Sequence, residues 1–173
     1  EIALRGGDVE PVQDRTGFLH PVVLVENLHL ADGALVPAFT GNSDQGGFTC
    51  VVCDDLNVHT STMRGVAPLL KWLDEGMSLQ GFSAADKVVG KGAAYLYILL
   101  EVKEIYADVI SRPALETLKN HNIPTSYTIL TEAVRNRDNT GLCPVETAVM
   151  NIDNPHDALA AIRNKLENLK NSR

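Results

Sequence analysis

Aromatic residues make up only 5% of this 173-residue chain, and there is one tryptophan. Any core must therefore rest on aliphatic side chains. Cysteine is scarce as well: three residues, an odd count that fits no disulfide framework. No apolar run is long enough for a membrane span, so no membrane role is expected. Positive charge is in deficit, with 15 Lys+Arg against 22 Asp+Glu and a net charge of −7. Broad nucleic-acid or membrane-surface binding needs clustered cations, so neither is expected. The first residues lack the basic start and apolar core of a signal peptide, so a reducing cytoplasm is the expected compartment. What is present is a 45% hydrophobic composition, enough for one domain with a real core and an extension.

The chain divides near Gly46 and Gly47. Residues 1–47 are rich in turn signals and hold two strand candidates, Pro21–Glu26 and Ala34–Phe39, around a turn at 31–33. They read as an arm, an extra hairpin or part of another module. His20 and His29 show no paired ligand pattern. Residues 48–173 carry sharper signals. Phe48–Cys53 and Leu56–Ser61 read as a hairpin around Asp54 and Asp55. Gly65–Glu75 has helical apolar spacing and stops at Gly76. Ser83 and Asp86 fit the S-x-x-[DE] capping pattern, which predicts a helix from about Ala84 to Leu100. A strand at 103–109, a helix at 112–122, a short strand at 124–127 and a helix at 129–135 follow. Short and long helices at 144–150 and 155–169 complete the chain. Alternating strands and helices predict a three-layer α-β-α sandwich with a mixed sheet.

Within the predicted helix at 84–100 lies Gly90-Lys91-Gly92. A phosphate loop places such glycines between a strand and a helix and follows the lysine with Ser or Thr, so that reading is weak here. Each interior glycine costs a helix about 1 kcal/mol relative to alanine, so two of them point to something packed close. Lys87 and Lys91, four residues apart, share one helical face. A lysine on a buried helix either snorkels, pairs structurally or meets an anion. Asp86 completes the Ser83 cap, pairs with a lysine or binds a hydroxyl of a ligand. Asp108 and Ser111 bracket a strand end, where ligands collect in α/β sheets.

Cys50 and Cys53 form a C-x-x-C, but in a strand they point to opposite faces, so no metal site is expected. Cys143 differs. It stands at an N-cap, with Pro144 at N1 and Glu146 at N3. A helix N-terminus favours thiolate, which makes Cys143 a candidate nucleophile with Glu146 beside it. The plainer reading is a cap that happens to be cysteine, because no histidine base is near in sequence. Arg135 and Arg137 flank a polar loop and are able to clamp a carboxylate or phosphate.

The stretches FTCVVCDD, MRGVAPLL, GFSAADKVVGKGAAYLY, IYADVISRPALETL and GLCPVETAV resemble a prokaryotic domain-of-unknown-function family associated with the cytidine-deaminase-like fold. The resemblance covers about residues 48–170. It implies a mixed sheet entered by a hairpin and sandwiched by helices, and oligomers such as a homodimer. Zinc deaminases of this fold start one core helix with H-x-E or C-x-E and the next with P-C-x-x-C. Here GKGAA and Ile110–Ala114 stand in those places, without a Cys, His or Glu. Zinc-dependent deamination is therefore not expected, and no cofactor is. The two helix N-termini, with Lys87, Lys91 and Arg112 near them, would suit an anionic or nucleotide-like ligand.

Three functions follow as expectations. The first is a zinc-free ligand-binding domain of sensory or regulatory type, using Lys87, Lys91, Asp86, Ser111, Arg112 and Arg137. The second is a metal-independent enzyme with Cys143 as nucleophile and Glu146 in proton transfer. The third is an interaction module whose pocket is a relic.

Overall fold

The computed structural model describes residues 48–54, 56–136 and 138–172, and the backbone alone of 27–29 and 35–37. Ahead of residue 48, β1 (Asn27–His29) pairs antiparallel with β2 (Leu35–Pro37). The expected strand at 34–39 thus contains β2, while that at 21–26 lies outside the described residues. The elements that follow are β3 (Cys50–Cys53), β4 (Val58–Ser61), α1 (Ala67–Asp74), β5 (Ser83–Val89), α2 (Lys91–Leu99), β6 (Glu104–Ser111), α3 (Arg112–Asn120), β7 (Thr125–Thr131), α4 (Pro144–Ala148) and α5 (Pro155–Asn171).

Five strands form one mixed sheet in the order β4-β3-β5-β6-β7. The β3–β4 hairpin enters it, β3 runs antiparallel to β5, and β5, β6 and β7 are mutually parallel. Helices α2 and α3 pack together, as the usual right-handed crossovers between successive parallel strands require of helices on one face. Helices α1, α4 and α5 also contact α2. That enclosure explains why α2 is buried at every residue from Lys91 to Tyr97. Leu69, Leu79, Leu96, Leu100, Ile105, Ile110, Leu118 and Ile162 are the large aliphatic side chains fully buried around it. Each contributes about 1.5–3 kcal/mol by leaving water.

Two predicted elements are corrected. The segment 83–89 is the central strand β5, not the start of a helix, and α2 begins only at Lys91 with Gly90 as its N-cap. Ser83 therefore caps nothing; its hydroxyl donates to Glu104 Oε1 at 2.6 Å. The strand lies between β3 and β6, so Ala84 and Ala85 on opposite faces are both fully buried. Small residues suit that crowded place, and no alternating pattern marks it. The predicted helix at 129–135 is also absent. β7 continues through Thr131, because it pairs with β6 as far as Ser111.

The parallel strands share one irregular row. Core-facing residues run Ala84 then Val89 in β5, Ala107 then Ile110 in β6, and Tyr127 then Leu130 in β7. Each interval is odd, where a regular strand requires an even one. The rows that break are Lys87, Asp108 and Thr128, which drop out of the register. Polar side chains make good the disturbed ladder. Asp86 Oδ1 accepts from Val88 N–H at 3.0 Å. Tyr106 donates to Asp108 Oδ1 at 2.9 Å and lies 2.7 Å from Thr128 Oγ1.

Gly92 shows what packs close to α2. A Cβ placed there would meet Val145 Cγ1 at 2.5 Å and Ile162 Cδ1 at 3.5 Å. Val145 sits on α4 and has a short, branched side chain with little freedom to yield. Gly92→Ala is therefore expected to destabilise the fold by about 1–3 kcal/mol through overpacking. Urea denaturation checks this. An unhindered helical site would instead gain about 1 kcal/mol from the same change, and that sign would refute the contact.

Candidate functional site

The strand ends of β5 and β6 deliver two helix N-termini side by side. At one, Gly90 leads into Lys91, the first residue of α2. At the other, Ser111 caps α3 and its Oγ accepts from Ala114 N–H at 3.3 Å. Gly90-Lys91-Gly92 thus does lie at a strand-to-helix turn, the place a phosphate loop occupies. The free amides of such a turn attract an anion.

The anion is supplied by the chain itself. Glu146, from α4, is 1% exposed. Its Oε1 accepts from Lys91 N–H at 3.2 Å and from the Ser111 hydroxyl. Its Oε2 accepts from Val134 N–H at 2.6 Å. One carboxylate therefore ties the start of α2, the cap of α3 and the segment after β7. Gly90 leaves it room, since a Cβ there would come within 3.3 Å of Val134 Cγ2 and 3.5 Å of Glu146 Oε1. Three donors and a helix dipole compensate for the desolvation of the carboxylate.

Lys91 makes the reciprocal contact. Its side chain is buried, its Nζ donates to the carbonyl of Met150 at 2.7 Å and lies 5.7 Å from the Tyr95 ring centroid. Met150 follows the end of α4, where unsatisfied carbonyls carry negative potential. So α4 gives an anion to the start of α2, and α2 returns a cation to the end of α4. Tyr95 strengthens the same junction by donating to the carbonyl of Ile152, and packs edge-on to His121 at 6.3 Å between ring centroids.

The other expected site residues are dispersed. Arg112 faces Glu132, with Nη2 to Oε1 at 2.8 Å, on the surface. Their hydrogen bonding holds the guanidinium pKa up and the carboxyl pKa down. Lys87 is half-buried on β5. Arg137 lies outside the described residues. Cys143 is the N-cap of α4, as expected, but its side chain makes no cap bond, and among the described residues no base is hydrogen-bonded to its thiol. Its backbone N–H donates to Val134 O at 2.8 Å, closing the loop over Glu146.

Asp86 belongs to a different cluster. It faces Cys50 across the β3–β5 ladder and Tyr97 from α2. Tyr97 donates to Asp86 Oδ2 at 2.8 Å, and Cys50 Sγ lies 3.0 Å from Tyr97 Oη. Burial drives the Asp86 carboxyl up to about 6, against its hydrogen bonds from Val88 and Tyr97, with the charge of Asp108 adding to the rise. Burial and the Asp86 charge likewise raise the Cys50 thiol and the Tyr97 phenol. Tyr95, Tyr97 and Tyr106 were not singled out from sequence. The available signal was Tyr95 and Tyr97 inside an otherwise apolar buried helix, where each phenol needs a polar partner.

Fold and clasp together define a mixed α/β domain whose helix N-termini are closed by an internal carboxylate. A family model described as a domain of unknown function (DUF1893) matches residues 42–166, and the chain belongs to that family. The crystal structure of a DUF1893 family protein (TM1506) from Thermotoga maritima is similar, with 27% identity and a TM-score of 0.63. The similarity covers 70% of this chain and 80% of that one. No curated protein matches.

Two measurements check the site. Glu146→Ala leaves the Lys91 and Val134 amides and the Ser111 hydroxyl without an acceptor. At about 1–3 kcal/mol for each buried group left unsatisfied, the total loss should reach about 3 kcal/mol or more by denaturant titration. A loss near zero would mean the carboxylate is not the tie. The second concerns pH. Asp86 titrates near 3.8 unfolded and about 6 folded. Between these values the folded state holds more protons, so stability contributed by protonated Asp86 is full below the lower value. It is lost as pH rises through the upper one. The stability of Asp86→Asn relative to wild type should therefore rise by on the order of 2–3 kcal/mol from acid to neutral pH. A difference that is flat with pH would contradict the raised value.

Proposed function

We propose that this chain carries a zinc-free, cytidine-deaminase-like domain that serves as an interaction or regulatory module rather than as a hydrolase. The strand order and directions support the deaminase-like part. A hairpin leads into a mixed sheet, and the next strands each deliver a core helix by its N-terminus. Residues at those two helix starts do not fit a zinc ion. Gly90, Lys91 and Gly92 offer no metal donor and place a lysine there, and Ser111, Arg112 and Pro113 offer at most a hydroxyl. No step through a metal is therefore derived. A third layer on the second face of the sheet, and a cytoplasmic setting, belong to the same reading.

The single observation that carries the proposal is the placement of Glu146. An anionic ligand is drawn to free amides at helix N-termini, and here Glu146 already accepts from the first amide of α2 and the cap hydroxyl of α3. Lys91, the expected ligand cation, is turned to the Met150 carbonyl. Arg112 is paired with Glu132. Among the described residues, Cys143 has no hydrogen-bonded base of the kind that activates a nucleophile. These arrangements favour the relic-pocket reading over ligand binding or turnover.

Thermal unfolding with inorganic phosphate and with a nucleoside monophosphate tests it, alongside native mass spectrometry and metal analysis of the purified chain. Wild type should carry no stoichiometric zinc or nucleotide and should not be stabilised by either anion. Glu146→Ala, with its seat vacated, should regain stability as phosphate is added. Stabilisation of wild type by a nucleotide would overturn the proposal and restore the ligand-binding domain.

A further inference from the structure

We infer that Cys50, Tyr97 and Asp86 form a buried hydrogen-bond chain whose donor direction reverses when Asp86 takes up a proton. The three residues come from β3, α2 and β5, and they are 1%, 0% and 8% exposed. Among the described residues, no Lys, Arg or His side chain lies within ion-pair distance of Asp86, and its hydrogen-bond partners are the peptide N–H groups of Val88 and Lys87 and the Tyr97 phenol. The other charged or titratable groups facing it are Cys50 from β3, Tyr97 from α2 and Asp108 from β6. The last is itself acidic. A buried acid with neutral partners and a neighbouring acid favours its neutral form.

The direction of the chain follows from proton counting. Asp86 Oδ1 accepts from Val88 N–H whichever state the acid is in. Oδ2 lies 2.8 Å from Tyr97 Oη, which lies 3.0 Å from Cys50 Sγ. A phenol has one proton to give. With Asp86 ionised, that proton goes to Oδ2, and the Cys50 S–H donates to Tyr97 Oη. With Asp86 protonated on Oδ2, the acid donates to Tyr97 Oη, the phenol turns to Cys50 Sγ, and the thiol loses its acceptor. One proton enters from water and forms one O–H bond; every heavy atom stays in place. The reversal therefore changes which atom donates between the sheet and α2 and leaves their packing as it is.

The full chain is examined by infrared absorption of the S–H stretch and by carbon NMR of the Asp86 carboxyl, across the range between about pH 5 and pH 7. The Cys50 band is identified by subtracting a Cys50→Ala spectrum. It should move toward the free-thiol frequency as pH falls, with the midpoint of the Asp86 carbon. In Tyr97→Phe, the carboxyl should still titrate while the thiol band stays fixed. Asp86→Asn should fix the band in wild-type surroundings; where that variant fails to fold, the Tyr97→Phe comparison decides. A Cys50 band that ignores pH while Asp86 titrates would overturn the reversal. So would an Asp86 carboxyl that titrates at its unfolded value.

Discussion

A single carboxylate holds the helical layer to the strand ends. Glu146 accepts from the start of α2, the cap of α3 and the segment that follows β7. The bonds from the Lys91 amide and the Ser111 hydroxyl are buried, where an unpaired donor is costly, and that from Val134 N–H is half-buried. Packing around the carboxylate then constrains the rest. Gly90 leaves space beside it, Gly92 lets α4 approach α2, and Lys91 anchors the far end of α4. The short helix α4 is seated by this pair of opposite charges against opposite helix ends together with the packing of Val145 against α2.

That arrangement gives the fold its functional character. Parallel strands that end in helix N-termini build an anion seat as a matter of geometry. In this chain the seat is filled from within. The same amides that would bind a ligand instead stabilise the tertiary structure, so the attraction is spent on folding. The second polar cluster, around Asp86, is of a different kind. It lies where the register breaks in β5, and it places an acid between the sheet and α2.

Much of the architecture was legible. The β3–β4 hairpin, α1, β6, α3, α4 and α5 follow from periodicity and punctuation, and the long apolar α2 announced its burial. The failure at 83–89 has a physical reason. A central strand covered on both faces uses small and branched residues without alternation, and Ser83 with Asp86 happens to mimic a helix cap. In the structure Ser83 answers Glu104 and Asp86 answers Tyr97. Sequence also brought Lys91, Ser111 and Glu146 forward as candidates. It cast Glu146 as a partner of Cys143, because local spacing shows what a residue can reach on its own helix. The bond from Lys91 N–H to Glu146 spans 55 positions and becomes visible only when the chain is folded. The glycines were the better clue, since they pointed to a close neighbour without naming it.

The most direct test is a high-resolution crystal structure of the full chain grown with inorganic phosphate. The account predicts the Glu146 carboxylate between the amides of Lys91 and Val134, with Ser111 bonded to it and no phosphate in that seat. Phosphate bound to the Lys91 amide, with Glu146 swung away, would contradict it.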